Sequence, residues 1–188
     1  KIGTELVLFN QNKICVQGTW DGENVKLYTE ISKPPAIPIK LFIGLPKKDA
    51  FDRILRQATE LNIAEIQPVI CQYSVPDRLN TGRAIKIMIE AAEQCERGHL
   101  PILNAPILFQ DIGTDLPIYW AYERGSQILP LSISIPCGLF IGPEGGFSDH
   151  EIERLTAFKT AQSFTLGSSI LRSDTAVTAA LGAVLAKL

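Results

Sequence analysis

Short apolar runs separated by polar, turn-forming segments dominate the first 33 residues of the chain. The connecting segments read Asn-Gln-Asn and Asp-Gly-Glu-Asn, and such compositions are typical of turns between antiparallel strands. The pattern therefore predicts part of a small β-barrel. Its three strands are expected at residues 5–9, 13–17 and 25–29.

Residues 33–38 read Lys-Pro-Pro-Ala-Ile-Pro and interrupt this pattern. Proline fixes its own φ and biases the preceding residue towards extended backbone, so the segment predicts a stiff linker. We expect a domain boundary here, with a small domain over residues 1–36 and a larger one over residues 37–188. Because the chain begins with Lys1 rather than Met, the small domain is expected to be partial.

Beyond the linker, apolar runs alternate with segments of helical periodicity. Strands that alternate with helices predict an α/β fold with a mostly parallel sheet. The strands are expected at residues 40–44, 65–70, 118–122, 139–141 and 163–166, and the helices at 49–62, 83–97, 148–158 and 175–188. The predicted buried stripes are Phe51, Ile54, Leu55, Ala58 and Leu61 in the first helix, and Ile85, Met88, Ile89, Ala92 and Cys95 in the second.

The helix predicted at residues 175–188 is apolar on nearly every side, with alanine, valine and leucine at most positions. A helix without a polar face is expected to be buried on several sides. A central helix of the core would satisfy this expectation within one chain.

A glycine-rich loop follows the strand predicted at residues 139–141. Gly142-Pro143-Glu144-Gly145-Gly146 predicts a sharp turn that a ligand can approach closely, because glycine has no Cβ. Ser148 and Glu151 have the spacing of a capping box, so a helix is expected to start after the loop. The loop has neither the Lys-Ser/Thr of a P-loop nor the G-x-G-x-x-G of dinucleotide folds. It is either an ordinary strand–helix turn or a ligand-binding loop of another kind.

Composition and charge narrow the choice of function. The net charge of −2 argues against a protein that coats nucleic acid by bulk charge, and no run of about 18 apolar residues predicts a membrane span. The four cysteines form no C-x-x-C pair, which favours reduced thiols and a cytoplasmic location. His99 and His150 have no partner at ligand spacing, so no metal site is expected.

A second motif, Leu166-Gly-Ser-Ser-Ile-Leu-Arg-Ser-Asp-Thr-Ala176, follows the next predicted strand. Together with Ile141-Gly-Pro-Glu-Gly-Gly-Phe-Ser148, it resembles the C-terminal motifs of the 16S rRNA uridine N3-methyltransferase family. Members of that family are SPOUT methyltransferases with a trefoil knot. Other segments between residues 45 and 101 resemble the central part of the family, and the likeness covers most of residues 39–188.

This resemblance implies an S-adenosylmethionine-dependent methyltransferase that acts on N3 of a uridine in 16S rRNA or the small ribosomal subunit. It implies a knotted (trefoil) SPOUT methyltransferase domain over residues 37–188, preceded by a partial PUA-like β-barrel that binds RNA. The last helix of such proteins packs against a second subunit, so a cytoplasmic homodimer without membrane or metal is expected. Two alternatives stay open: a SPOUT ribose 2′-O-methyltransferase, and a non-enzymatic RNA-binding module with a degenerate pocket.

By the same resemblance, the two glycine-containing motifs bind the cofactor S-adenosylmethionine. Gly142 and Gly145 would let the cofactor approach the backbone, and the second motif would line its adenine. This ligand has no phosphate, which agrees with the absence of lysine from both motifs. The implied cofactor-binding residues are Ile141, Gly142, Pro143, Glu144, Gly145, Gly146, Leu166, Gly167, Ser168, Ile170 and Leu171.

Arg172 and Glu144 are the candidate catalytic residues. Uridine N3 attacks a methyl group well only after it loses its proton, and the charge then spreads onto O2 and O4, where a fixed cation helps most. Arg172 stays protonated and suits that role; alternatively, it forms an ion pair with Asp174 or Glu144. Glu144 either positions the cationic end of the cofactor, acts as a base, or caps a helix.

The chain departs from the family pattern at two loops. Trp120-Ala121-Tyr122-Glu123 has tyrosine where the family has the histidine of a His-Glu pair, and Cys71-Gln72-Tyr73-Ser74 replaces an S-E-R-S-like element. Several basic side chains are candidate phosphate contacts, or else belong to solvated helix faces and loops. They are Lys47, Lys48, Arg53 and Arg56, whereas Arg78 and Arg83 lie in the polar loop that contains the second of these departures.

Overall fold

The computed structural model describes residues 1–9, 15–75, 79–113, 115–125, 127–128 and 133–188. Within this part of the chain, a three-stranded antiparallel sheet precedes a seven-stranded parallel sheet and four α-helices. Arg78, which the sequence places in a polar loop, lies outside the described residues.

The small sheet consists of β1 (Thr4–Phe9), β2 (Cys15–Trp20) and β3 (Val25–Ile31), in the order β1-β2-β3. The first and third strands confirm the predictions. The second strand was predicted to end at residue 17, but it continues through Gly18, where the register with β3 shifts. A Cβ on Gly18 would lie 2.8 Å from the carbonyl oxygen of Lys26. Glycine therefore marks close approach of two strands here, and not the end of the strand.

The large sheet has the strand order β10-β8-β9-β4-β5-β6, with β7 also paired to β5. All these pairings are parallel, which confirms the predicted mostly parallel α/β fold. The short strands β6 and β7 were not predicted, because two residues are too few to show a period. The strands are β4 (Ile37–Gly44), β5 (Ile63–Ile70), β6 (Ile102–Leu103), β7 (Ile107–Leu108), β8 (Ile118–Ala121), β9 (Cys137–Ile141) and β10 (Ala161–Phe164).

The predicted linker is shorter than expected, because its last two residues belong to β4. Ile37 already pairs with Ile63, and the register shifts between Ile37 and Lys40. Pro38 lies within this irregular stretch, where its lack of an N–H group does not break the ladder. The linker proper therefore ends before Ile37.

The helices are α1 (Lys48–Glu60), α2 (Thr81–Gln94), α3 (Asp149–Ala157) and α4 (Ser173–Leu185). In α1 the predicted stripe is confirmed, with only Leu61 beyond the helix end and half-buried. For α2, the predicted bounds and buried stripe were partly wrong, because the helix and its buried face lie a few residues earlier in the chain. This helix starts earlier, because the Asn80 side chain caps it, and its buried residues are Ala84, Ile87, Met88, Ala91 and Ala92. Three of these buried residues are alanines, and a prediction based on large apolar side chains does not recognise them as a buried face.

Two apolar cores cover the two faces of the large sheet. Side chains of α1, α2 and α4 join one core, and Leu155 of α3 joins the other beside Phe140 and Trp120. The last helix was expected to be buried on several sides, but within one chain it buries a single face. Ala179, Gly182 and Ala186 on the opposite face are exposed.

Candidate functional site

Three neighbouring parallel strands, β8, β9 and β10, place their carboxyl ends at one edge of the large sheet. The loops that follow them are the Tyr122 loop, the glycine loop at residues 142–147 and the loop at residues 165–172. In open α/β sheets, ligands bind in the crevice outside this edge. The sheet topology therefore brings together loops that are far apart in sequence.

These loops enclose a cavity with about 850 Å³ of space free of protein atoms, part of it open to solvent. The cavity is lined by residues 121–123, 141–147, 165–167 and 169–171, together with Ser173 and Ala176 of α4.

The glycine loop is held against the end of β4 and the start of α1. A Cβ on Gly44 would collide with the ring of Pro143, so the glycine in β4 allows the loop to cross the strand end. The carboxylate of Glu144 accepts a hydrogen bond of 3.1 Å from the backbone N–H of Lys47. Gly146 has φ +72°, a conformation that favours glycine. The loop therefore has a defined shape.

Protein side chains explain why two of the loop positions are glycine. A Cβ on Gly142 would lie 3.2 Å from the ring of Phe147, and one on Gly145 would lie 2.7 Å from Cβ of Tyr73. The explanation by resemblance, that these glycines make room for a cofactor, is therefore incomplete. Any larger residue at position 145 must first displace Tyr73 or the loop itself.

The helix after the glycine loop begins with the predicted capping box. The Ser148 hydroxyl accepts from the backbone N–H of Glu151 at 3.4 Å, and the Glu151 carboxylate accepts from that of Ser148 at 2.8 Å. The other carboxylate oxygen of Glu151 accepts from the backbone N–H of Gln72 at 2.8 Å. One buried glutamate thus joins the glycine loop to the turn after β5.

An aromatic cluster supports the floor of the cavity. Phe147 lies edge-on to Phe140, with ring centroids 4.8 Å apart, and edge-on to Trp120 at 5.8 Å. Phe140 and Trp120 are buried. Such edge-to-face contacts hold Phe147 in one orientation where the glycine loop turns into α3.

The second motif forms the opposite wall. The Thr165 hydroxyl donates to the carbonyl oxygen of Gly167 at 3.0 Å and accepts from its N–H at 3.2 Å. Gly167 has φ +120° and open space around it. Ile170 is 84% exposed at the cavity although it is large and apolar. An exposed apolar side chain at a cavity rim is suited to cover a ligand.

The charge of the cavity favours a cation. Its charged lining residues, within the described part of the chain, are the carboxylates Glu123 and Glu144. Ser173 is 4% exposed, and its hydroxyl has no hydrogen-bond partner among the described residues. A buried polar group without a partner is costly unless a ligand or water satisfies it. The site therefore suits a ligand with positive charge and hydrogen-bonding groups, and does not suit a phosphate.

All the predicted cofactor-binding residues except Ser168 line this cavity, and Ser168 is exposed in the same loop. Their contact with a cofactor stays a prediction. Three residues of the loop whose role the sequence left open also line the cavity: Ala121, Tyr122 and Glu123. Sequence reasoning did not name Phe147, Thr165, Ser169, Ser173 and Ala176 as lining residues. Several of these lie within the two motifs, but no residue type among them indicates which side chains face inward.

Arg172 lies immediately before α4 and is exposed, between the lining residues Leu171 and Ser173. The two partners considered for it are engaged elsewhere. Asp174 accepts from Nε of Arg53 at 2.6 Å, and Glu144 accepts from the backbone N–H of Lys47, just before α1. Among the described residues, the Arg172 side chain makes no ion pair, so it is available to a ligand.

Burial alone would raise the pKa of the Asp174 carboxyl group. The hydrogen bond and charge of Arg53, with backbone N–H groups of Asp174 and Thr175, more than offset burial and lower that pKa. Asp174 is therefore a stable anion at the first turn of α4, which is a favourable place for negative charge.

Of the other basic side chains near the start of α1 and α2, two form ion pairs with aspartates and three are exposed. Arg53 binds Asp174, and Arg83 forms a two-pronged pair with Asp52. The side chains of Lys47, Lys48 and Arg56 are exposed. The Glu144 contact at the start of α1 matches the alternative in which this carboxylate caps a helix.

An open parallel sheet whose loops enclose a ligand-sized cavity at the carboxyl edge defines a ligand-binding α/β domain. Residues 33–185 match the family model described as RNA methyltransferase domain. The ribosomal RNA small subunit methyltransferase E of Rickettsia conorii is 33% identical over 199 residues, covering 98% of this chain and 81% of that protein. The Bacillus subtilis protein of the same name is 32% identical, with 96% and 75% covered.

The chain belongs to this family of RNA methyltransferases, which confirms the resemblance of its two motifs. Among solved structures, a ribosomal RNA small subunit methyltransferase E from Neisseria gonorrhoeae bound to S-adenosyl methionine superposes with a TM-score of 0.85. It is 25% identical, and the alignment covers 99% of this chain and 84% of that one.

None of the helices in the described part of the chain is long and apolar enough to cross a membrane. The described residues also contain no group of three or more His, Cys, Asp or Glu side chains arranged to hold a metal ion.

Proposed function

We propose that this chain is an S-adenosylmethionine-dependent methyltransferase of small-subunit (16S) ribosomal RNA, and that its acceptor is N3 of a uridine. Its family and its similarity to a structure bound to S-adenosyl methionine support the reaction class. The observation that carries the proposal is the cavity at the carboxyl edge of the sheet, where both family motifs meet.

The residues of the cavity fit the chemistry of S-adenosylmethionine. This molecule has a sulfonium and an ammonium group, and Glu123 and Glu144 provide matching negative charge. The unpartnered hydroxyl of Ser173 offers a hydrogen bond, and Ile141 and Leu166 offer apolar walls. When bound, S-adenosylmethionine supplies the methyl group. The residues that would hold it are those of the glycine loop and the second motif.

On the acceptor side, Arg172 would stabilise the negative charge that develops on the uracil carbonyl groups. Its exposed, unpaired guanidinium lies next to two cavity residues, and a planar fork of donors suits carbonyl oxygens. The N3 atom lies on the Watson–Crick edge, so the target base must be unpaired or splayed out of its helix. Glu144 orients the glycine loop through its bond to Lys47.

We further propose that residues 37–188 form a trefoil-knotted SPOUT domain and that residues 1–36 are part of a PUA-like RNA-binding barrel. The family match from residue 33 and the separate antiparallel sheet support this division. A cytoplasmic location agrees with a ribosomal RNA substrate and with cysteines that are all free.

We propose that the protein works as a homodimer that buries the exposed face of α4. Gly182 on that face has open space around its Cα, so Gly182→Arg adds a charge without a clash in its own chain. Light scattering should show a native dimer and a monomeric variant, since a charge buried in an apolar interface is costly. Ala157→Arg on α3 is the matched control and should stay dimeric. A native protein that is monomeric at micromolar concentration contradicts the proposal.

The reaction is tested with unmodified small ribosomal subunits and S-adenosylmethionine carrying a labelled methyl group. We expect label in the 16S rRNA. Binding of subunits without any transfer of label would favour the non-enzymatic alternative, and absence of both binding and transfer would contradict the proposed substrate.

A further inference from the structure

A second cavity lies between the carboxyl end of β4 and the first turns of α1 and α2. It holds about 770 Å³ of space free of protein atoms, part of it open to solvent, and none of the predicted cofactor residues lines it. Its walls include the apolar residues Leu45, Phe51 and Leu79 and the charged residues Lys48, Asp52 and Arg83.

Contacts of Lys47, Tyr73 and Glu144 connect the loops that line this second cavity with the glycine loop of the candidate cofactor cavity. Glu144 lines the cofactor cavity and accepts the N–H of Lys47, whose neighbour Lys48 lines the second cavity. Tyr73 packs against Gly145 of the glycine loop, yet 49% of its surface is exposed. A half-exposed aromatic ring thus lies against the glycine loop, two residues before Val75, which lines the second cavity.

The backbone on both sides of Tyr73 is fixed. The N–H of Gln72 donates to the buried carboxylate of Glu151 at 2.8 Å, and the N–H of Val75 donates to the carbonyl oxygen of Leu45 at 3.1 Å. The backbone that carries the Tyr73 ring is therefore held in place, while the ring itself is half-exposed. A positioned, uncovered ring is what a stacking surface for a planar group requires.

The two cavities differ in the sign of their charge. Within the described residues, the cofactor cavity has Glu123 and Glu144 as its charged residues, whereas the second cavity has two cations, Lys48 and Arg83, and one anion, Asp52. Asp52 binds Nε and Nη2 of Arg83, and Nη1 has no partner among the described residues. The second cavity therefore suits an anionic ligand beside the site that suits a cationic one.

We propose that the second cavity and Tyr73 bind one nucleotide of single-stranded RNA next to the target uridine. The base stacks on the ring of Tyr73, and its phosphate lies near Lys48 and Arg83. The inference rests on the proposed function, since the site serves an RNA acceptor.

The stacking contact is tested by replacing Tyr73 with alanine and with phenylalanine. Binding of fluorescently labelled enzyme to unmodified small ribosomal subunits should weaken roughly fivefold to a hundredfold in Tyr73→Ala, the range expected for loss of one base–aromatic stack. Tyr73→Phe keeps the ring and should bind like the native enzyme. Affinity for S-adenosylmethionine, measured by calorimetry, should stay within about twofold in both variants, which corresponds to about 0.4 kcal/mol.

The phosphate contact is tested by the salt dependence of the same binding. Lys48→Ala should lower the slope of log affinity against log salt concentration by about 0.7, the value for one phosphate of a single strand. Lys86→Ala removes the same charge from an exposed position of α2 outside the cavity, and it should leave the slope unchanged.

Two results would overturn the inference. In the first, Tyr73→Ala and Lys48→Ala both bind subunits like the native enzyme. In the second, Tyr73→Ala loses S-adenosylmethionine affinity in parallel with RNA affinity, which would make Tyr73 a support of the glycine loop. Failure of the proposed function itself is distinct, because native enzyme would then transfer no methyl group to subunits.

Discussion

Replacing Arg172 with alanine is expected to slow methyl transfer to ribosomal RNA about a hundredfold or more, with little change in S-adenosylmethionine affinity. Loss of one donor to a developing anion commonly costs about that much in rate. The guanidinium is exposed and unpaired within the described residues, so its removal breaks no ion pair of the fold. Such a contact forms mainly in the transition state and lowers the turnover number when lost.

Arg172→Lys should recover little of the lost rate, since an ammonium group cannot offer a planar pair of donors. Lys159→Ala removes an exposed positive charge distant from the cavity and serves as the control with normal rate. Single-turnover transfer at saturating cofactor, measured beside a melting curve, separates chemistry from stability. An Arg172→Ala enzyme that is stable and fully active would exclude the catalytic role.

Replacing Gly145 with valine is expected to weaken S-adenosylmethionine binding by at least about tenfold while the protein stays folded. The added Cβ would lie 2.7 Å from Cβ of Tyr73, a distance that requires the glycine loop to move. Because the loop lines the cavity and is held at its far side by the contact of Glu144 with Lys47, its movement must change the shape of the cavity. Calorimetry with the cofactor measures the loss.

Gly113→Val is the matched control for this substitution. Gly113 is exposed in a loop outside the cavity, and its Cβ would lie 3.6 Å from the nearest atom, an ordinary contact. This variant should bind the cofactor like the native protein. If Gly145→Val binds equally well, the glycine loop does not shape the cofactor site.

Periodicity predicted much of the fold, because large apolar side chains recur where an element has one buried face. Periodicity predicted the buried stripe of α1 correctly. The start of α3 was predicted from a different signal, the capping residues Ser148 and Glu151. Periodicity misplaced the stripe of α2, whose buried face is built partly from Ala84 and Ala91. Small residues carry little hydrophobic signal even when they allow two helices to pack closely.

The site was predictable only in part. The two motifs each follow a strand, and parallel strands place such loops at one edge, so their meeting could be expected. The contacts that give the site its shape connect distant residues. Glu144 meets Lys47, which is 97 positions away in sequence, and Gln72 meets Glu151 across 79 positions. No local sequence pattern predicts either of these contacts. The sequence likewise does not indicate that the buried hydroxyl of Ser173 has no hydrogen-bond partner among the described residues.

The most direct test of the proposed reaction is the identity of the methylated nucleoside. Small ribosomal subunits that lack the modification are incubated with the native enzyme and S-adenosylmethionine, and the 16S rRNA is digested to nucleosides and analysed by chromatography with mass spectrometry. We expect a single new product that coelutes with N3-methyluridine and is missing when Arg172→Ala replaces the native enzyme under the same brief incubation. A methyl group found on the ribose, or no methylated nucleoside at all, would contradict the account.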